Sequence, residues 1–256
     1  MKVAILAGGL GTRLSEETDV RPKPMVEVGS HPLIWHIMKH YEQHGCSEFY
    51  VALGYKGELI KRYFLDYNAL SGSINVSLRD GALVQLDDVH EHWDVNLIDT
   101  GNDTNTGGRL KRLAPWLLDS TFMLTYGDGV SDVDVTKLLA FHREHGKLGT
   151  ITAVHPPSRF GEMVFAGDDL ARFTEKPQMG EGWINGGFMV LEPQVLEMID
   201  GDATSLEGEV LERLTDERQL VAYRHDSFWQ CMDTLRDVRF LRGLWESGSP
   251  PWVTWA

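Results

Sequence analysis

Cysteine is nearly absent: Cys46 and Cys231 are the only two in 256 residues, so no disulfide framework is implied. Cations are in deficit. Lys and Arg number 24 against 38 Asp and Glu, a formal net charge of −14. Neither nucleic acid nor an anionic membrane is therefore expected as the main partner. An anionic small substrate stays open if cations, backbone N–H groups and a metal gather at one place. No apolar run reaches membrane-spanning length. The apolar stretch after Lys2 is too short for a signal-peptide core, and a soluble cytoplasmic protein is the expectation. Familiar catalytic marks are missing as well. There is no G-x-S-x-G elbow, and neither cysteine sits in a nucleophile signature. His36 and His40, like His142 and His145, have helical spacing but lack the further ligands that a zinc site needs.

What is present begins at the first strand. Val3-Ala4-Ile5-Leu6 reads as buried β-structure and runs into Ala7-Gly8-Gly9-Leu10-Gly11-Thr12-Arg13-Leu14. Glycines let backbone approach a ligand closely, and a loop leaving a strand exposes N–H groups that can cradle a polyphosphate. The pattern opens like G-x-G-x-x-G but has Leu14 at the third glycine, and no Lys-Ser or Lys-Thr pair closes a P-loop. A tight turn without a ligand is the alternative. Arg21-Pro22-Lys23-Pro24-Met25 then adds a cation on a backbone stiffened by two prolines.

The length suits one large domain. Along it, the spacing predicts helices over residues 33–44, 58–67, from about 106 to 117, and over 135–145, with strands over 49–53, 95–98 and 122–125 between them. Strand and helix in alternation predict an α/β fold: a Rossmann-like, mostly parallel sheet flanked by helices. Later strands at 149–155, 162–165, 170–174, 184–191 and 220–223 suggest a smaller mixed or antiparallel region. Short helices are expected at 193–199 and 206–214, and a terminal helix at 234–245. Residues 81–92 carry no assignable pattern.

Asp128 follows the apolar strand Phe122-Met123-Leu124-Thr125 and sits between Gly127 and Gly129. Ligands of open parallel sheets collect at strand carboxyl ends, and a carboxylate there suits Mg²⁺, which prefers oxygen ligands shared with phosphates. An ordinary turn is the other reading. Asp233 precedes the last helix, where Asp is favoured in any case; the two roles are compatible. Glu175-Lys176-Pro177 closes a strand, and adjacent side chains there face opposite ways. Asn185-Gly186-Gly187 puts an amide and two glycines inside an apolar run, which fits a sugar hydroxyl or a bulge.

The chain resembles the sugar-1-phosphate nucleotidyltransferases over nearly its whole length. The opening motif from Leu6 to Leu14 and Pro22-Lys23-Pro24 are family-wide. More specific are Thr106-Gly107-Gly108-Arg109, Thr125-Tyr126-Gly127-Asp128-Gly129, Glu175-Lys176-Pro177, Ile184-Asn185-Gly186-Gly187, and Phe228-Trp229-Gln230 with Met232-Asp233-Thr234. One departure stands out: Leu206 and Val210 stand where the family usually has an aromatic residue and a proline.

The resemblance implies transfer of a cytidylyl group from CTP to glucose 1-phosphate with Mg²⁺, giving CDP-glucose and pyrophosphate. By that resemblance Leu6, Ala7, Gly8, Gly9, Leu10, Gly11, Thr12, Asp103, Thr106, Gly108 and Gly127 line the nucleotide, with the Gly108 N–H reaching the base edge. Arg13 and Lys23 act on the phosphates, and Asp128 and Asp233 hold the metal. Lys176 grips the sugar phosphate, with Glu175, Asn185 and Gly186 at the sugar. The nucleotide part would occupy roughly residues 1–130 and the sugar-binding and oligomerisation elements roughly 131–256 of a single domain. A homo-oligomer, often a hexamer, is implied too. The competing readings are a nucleotide-binding regulator without catalysis, a transferase using UTP or dTTP, and a dinucleotide-dependent oxidoreductase, the last disfavoured by Leu14.

Overall fold

The computed structural model describes residues 1–87, 91–156, 162–166, 169–174 and 182–255. Four parallel strands carry the first half: β1 (Lys2–Ala7), β2 (Glu48–Leu53), β3 (Asp94–Asp99) and β4 (Phe122–Tyr126), in the spatial order β3-β2-β1-β4. Parallel neighbours need crossovers. These contain α1 (Leu33–Gln43), α2 (Gly57–Leu70) and α3 (Thr106–Arg112). The sheet covers both its faces. Val3, Ile5 and Ala7 of β1 pack with Leu33, Ile37 and Tyr41 of α1, whereas Ala4 and Leu6 pack with Leu110, Leu113 and Leu117. A strand buried on both faces has to be apolar throughout, which is why β1 reads as an unbroken run.

The later strands join the same sheet. β5 (Gly149–Val154) pairs with β6 (Ile184–Asn185) and β7 (Met189–Leu191) antiparallel and with β8 (Leu220–His225) parallel. β7 also pairs antiparallel with β4. The expected mixed region is therefore continuous with the parallel part, as one eight-stranded mixed sheet. The backbone ladder of Glu162–Ala166 with Asp169–Thr174 stands apart as a separate two-stranded sheet, as does that of Gly129–Ser131 with Trp229–Cys231. The helix α4 (Val135–His145) has the predicted bounds, with Asp134 capping Lys137 N–H and Gly146 in the left-handed region at its end. α5 (Leu235–Glu246) follows a capping box between Thr234 and Asp237.

One expectation needs correction, and two further stretches gain detail. The run 184–191 is not one strand. It breaks at Gly186 and Gly187, where a Cβ on Gly186 would meet Val154 Cγ1 at 2.6 Å and Gly187 has φ +76°. The short helix expected over 206–214 is π-helical over Leu206–Leu211 and α-helical over Glu212–Asp216. This wider turn contains Leu206 and Val210, both buried. In the unassigned stretch, Leu83–Gln85 pairs with Ile74–Val76 as a hairpin. As for the histidines, His36 and His40 each place Nε2 2.9 Å from a carbonyl oxygen, of Val28 and Val133 respectively. They tie α1 into the core.

Candidate active site

Because β1 to β4 run parallel, their carboxyl ends share one edge, and the loops leaving them meet there. A cavity of about 650 Å³ opens at this edge, lined in part by residues 6–11, 102–106 and 126–128. After β1 the backbone turns at Gly11, whose φ of +64° favours glycine. Leu14 N–H then closes the turn onto Gly11 O at 2.9 Å. The hydroxyl of Thr18 donates to Leu14 O at 2.8 Å and to Gly11 O at 3.1 Å.

Arg109 locks this loop to its neighbour. It leaves α3 almost fully buried and donates from Nη1 to Leu53 O, Thr100 Oγ1 and Gly101 O at 3.2, 2.8 and 2.7 Å. From Nη2 it donates to Gly8 O and Asn102 O at 3.0 and 3.1 Å. Burial, with Arg112 close by, lowers its pKa, and Asp99 opposes the shift. A Cβ on Gly8 would lie 2.2 Å from Arg109 Nη1, and one on Gly54 2.4 Å from the same atom. These glycines are the space that the guanidinium occupies. Sequence reasoning placed the loop but missed this knot; its signal was an arginine in the first turns of a helix whose other inward residues are apolar.

The charged groups meet at the mouth. Lys23 begins a short 3₁₀ turn, Lys23–Met25, after the extended Pro22. Its Nζ donates to Asp128 Oδ2 at 3.1 Å and to Asp233 Oδ1. Burial pulls the Lys23 pKa down, but the charges and hydrogen bonds of Asp128 and Asp233 outweigh it and the pKa ends raised. Arg13 Nη1 lies 2.7 Å from the other oxygen of Asp233. Two distant segments supply the two carboxylates. Strand Gly129–Ser131 pairs antiparallel with Trp229–Cys231, aligning Gly129 with Cys231, and Met232 N–H donates to Asp128 O at 2.7 Å. Asp237 Oδ2 then accepts from Asp233 N–H at 3.1 Å. Between these strands and the carboxylates, burial and the nearby Asp233 and Asp128 push the Cys231 thiol up to about 12, which leaves it unreactive.

Among the described residues, no group of three or more His, Cys, Asp or Glu is arranged to hold a metal ion. Asp128 and Asp233 alone form a hard-oxygen pair that already draws a cation, the Lys23 ammonium. Such a pair fits Mg²⁺, which uses one or two carboxylates and completes its shell from phosphates and water.

Of the residues expected around the nucleotide, Leu6, Ala7, Gly8, Gly9, Leu10, Gly11, Lys23, Asp103, Thr106 and Gly127 line the cavity. Thr12 and Arg13 stand just beyond the lining residues in the turn that follows. Gly108 does not line it, and the expectation for its N–H is corrected: that group donates to Thr204 O at 3.2 Å. A Cβ there would meet Asp202 backbone at 2.5 Å, so this glycine serves close packing of α3 on the 201–204 turn. Asn185 approaches from the far side, donating from Nδ2 to the Tyr126 hydroxyl at 3.1 Å. Gly186 O accepts from Trp229 Nε1 at 2.8 Å. Glu175 and Lys176 lie outside the described residues. Sequence reasoning also missed Glu207, whose carboxylate accepts from the hydroxyls of Tyr126 and Thr106, both at 2.6 Å.

The nucleotidyl transferase family model matches residues 2–240. Over the full length of both chains, the sequence is 49% identical to the glucose-1-phosphate cytidylyltransferase of Salmonella typhimurium. It is 39% identical, again over both full lengths, to the probable glucose-1-phosphate cytidylyltransferase of Bacillus subtilis. In fold it resembles HddC from Yersinia pseudotuberculosis, crystallised with GMP-PN, with a TM-score of 0.71 at 23% identity over 95% of this chain and 99% of that one.

Proposed function

Since the chain belongs to the nucleotidyl transferase family, we propose that it transfers a cytidylyl group from CTP to α-D-glucose 1-phosphate, releasing pyrophosphate and forming CDP-glucose. The observation that carries the chemistry is the meeting of Lys23, Arg13, Asp128 and Asp233 beside the glycine loop. The choice of cytosine and glucose rests on the full-length relatives.

The sugar phosphate needs no general base. Its second pKa is about 6, so at pH 7 it is mostly a dianion. One of its oxygens bonds to the α-phosphorus while the bond to the β-phosphate oxygen breaks, and pyrophosphate leaves with the electron pair. What remains for the protein is positioning and charge. Backbone of residues 8–11 receives the triphosphate. Lys23, held in place by its two carboxylates, is the cation nearest the phosphates in transfer, and the exposed Arg13 reaches the departing pyrophosphate. Asp128 and Asp233 are the residues that would hold Mg²⁺, which when bound neutralises charge on the phosphates. Lys176 takes the sugar phosphate, and Glu175, Asn185 and Gly186 take the sugar, as the resemblance implies.

The reading includes a homo-oligomer, with six copies the number that the resemblance suggests. Leu78, Leu83, Val84 and Leu86 in and beside the hairpin, and Leu65 and Leu70 of α2, are each exposed large apolar side chains, which supports it. No described helix is long and apolar enough to cross a membrane, and the reaction is assigned to the cytoplasm, where CTP is at hand. The test is a screen of CTP, UTP, dTTP, GTP and ATP against sugar 1-phosphates with Mg²⁺, read by pyrophosphate release and product mass. CDP-glucose as the main product is expected; no pyrophosphate from any pair would leave a regulator without catalysis.

A further inference from the structure

Two hydroxyls in the cavity wall share one carboxylate. Glu207 lies in the first turn of the π-helical stretch Leu206–Leu211. Its Oε1 accepts from the Tyr126 hydroxyl and its Oε2 from Thr106 Oγ1, both at 2.6 Å, the short range of charge-assisted O–H···O bonds. Ser205 Oγ adds a longer contact to Oε2 at 3.4 Å. Thr106 is the first residue of α3, on the loop that faces the first strand's glycines, and its Oγ1 also accepts from Leu206 N–H at 3.0 Å. Tyr126 ends β4 on the opposite flank, where its oxygen accepts from Asn185 Nδ2 and Asn185 Oδ1 accepts from Gly187 N–H at 2.8 Å. Thr106 and Tyr126 both line the cavity, whereas Glu207 stands behind them.

We propose that Glu207 is a positioning residue that sets the two sides of the cavity against each other, the nucleotide side through Thr106 and the sugar side through Tyr126 and Asn185. A carboxylate only accepts hydrogen bonds. Both hydroxyl protons are therefore committed to Glu207, and Thr106 and Tyr126 present oxygen lone pairs, never a donor, to whatever fills the cavity. The surroundings agree: burial, then the Glu207 charge, raises the Tyr126 pKa, so the phenol keeps its proton. The π-helix has a local role here, since one wider turn brings Glu207 under both hydroxyls while Leu206 and Val210 stay buried.

The proposal rests on the reading of the cavity as a site for a nucleotide and a sugar phosphate, and its test separates the two. Wild-type turnover with CTP and glucose 1-phosphate examines that reading alone. The bridge is examined first without ligand, by double-mutant cycles on thermal unfolding that pair Glu207→Gln with Tyr126→Phe and with Thr106→Val. Non-additive losses in both cycles are expected, because each pair shares one hydrogen bond; additive losses in either cycle overturn the bridge. Titration calorimetry then measures CTP and glucose 1-phosphate separately. Glu207→Gln removes the charge that both hydroxyls bind, and its single acceptor oxygen can keep at most one of them as a neutral bond, so both ligands are expected to weaken about tenfold, the scale of one hydrogen bond to a charged group. Thr106→Val should weaken CTP alone and Tyr126→Phe glucose 1-phosphate alone. If Glu207→Gln does not fold, Glu207→Asp, which keeps the charge and withdraws the oxygens, takes its place with the same paired loss expected. A folded Glu207 variant that binds both ligands normally, or weakens only one, overturns the proposal.

Discussion

Replacing Gly8 by alanine puts a methyl group where the Arg109 guanidinium lies. The new Cβ would stand 2.2 Å from Nη1 and 2.3 Å from Cζ, against an ordinary contact of at least 3.4 Å. A free arginine would swing aside at little cost. Arg109 makes five hydrogen bonds from its two terminal nitrogens, and a shift of more than an ångström breaks most of them. Leu53 O keeps Thr100 N–H as a donor and Gly8 O keeps Tyr55 N–H, so the loss concentrates on Gly101 O and Asn102 O. At roughly 1.5–3 kcal/mol for each bond to a charged group, and with two bonds fully lost, destabilisation of about 3–6 kcal/mol is expected. That is a large share of a typical stability of about 5–15 kcal/mol. Urea unfolding would measure it, with the slope checked for constancy. Arg109→Met removes the same bonds and should cost a similar amount. The decisive variant is the double one: without the guanidinium the new methyl has room, so Gly8→Ala with Arg109→Met should be no less stable than Arg109→Met alone. Additive losses would refute the claim that Gly8 is glycine because of Arg109.

Three further outcomes are expected. If Asp128 and Asp233 hold Mg²⁺ as proposed, Asp128→Asn and Asp233→Asn should fold and lose activity by orders of magnitude, because a metal clamp on phosphates supplies several kcal/mol; near-normal turnover of both at ordinary Mg²⁺ would refute the proposed metal site. Gly108→Val should lower the melting temperature, since its neighbour is the Asp202 backbone and cannot yield, while the folded fraction binds CTP normally in calorimetry; a selective loss of CTP would return this residue to the base pocket. The third concerns pH. Burial first lowers the pKa of His36 and of His40 to about 4 from an unfolded value near 6.5. The native state then binds fewer protons than the unfolded one between those values, so this contribution is complete above pH 6.5 and declines as pH falls to about 4, by roughly 3 kcal/mol for each residue. His40→Gln should flatten the fall in melting temperature over that window, and an unchanged slope would contradict the assignment.

Much of the fold is legible locally. Val135–His145 repeats its apolar side chains at helical spacing between an Asp cap and a glycine stop, and its bounds follow from those residues alone. β1 is an apolar run because both its faces are covered, and the glycines after it mark a close approach of backbone. The resemblance reached Lys23, Arg13, Asp128 and Asp233 as residue types at matching motifs. How they meet was decided in three dimensions, when Gly129–Ser131 paired with Trp229–Cys231 and brought two carboxylates from distant parts of the chain to one ammonium. Periodicity carries no record of such a pairing, since it reports which face of an element is covered and not what covers it. The same limit hid the break at Gly186 and Gly187, set by Val154 on the neighbouring strand, and the wider turn that carries Glu207. It also concealed the purpose of two glycines: Gly8 makes room for a guanidinium and Gly108 for the Asp202 backbone. Composition marked both as places of close approach, and only the packed structure decided what approaches, because that neighbour is supplied by a segment far away along the chain.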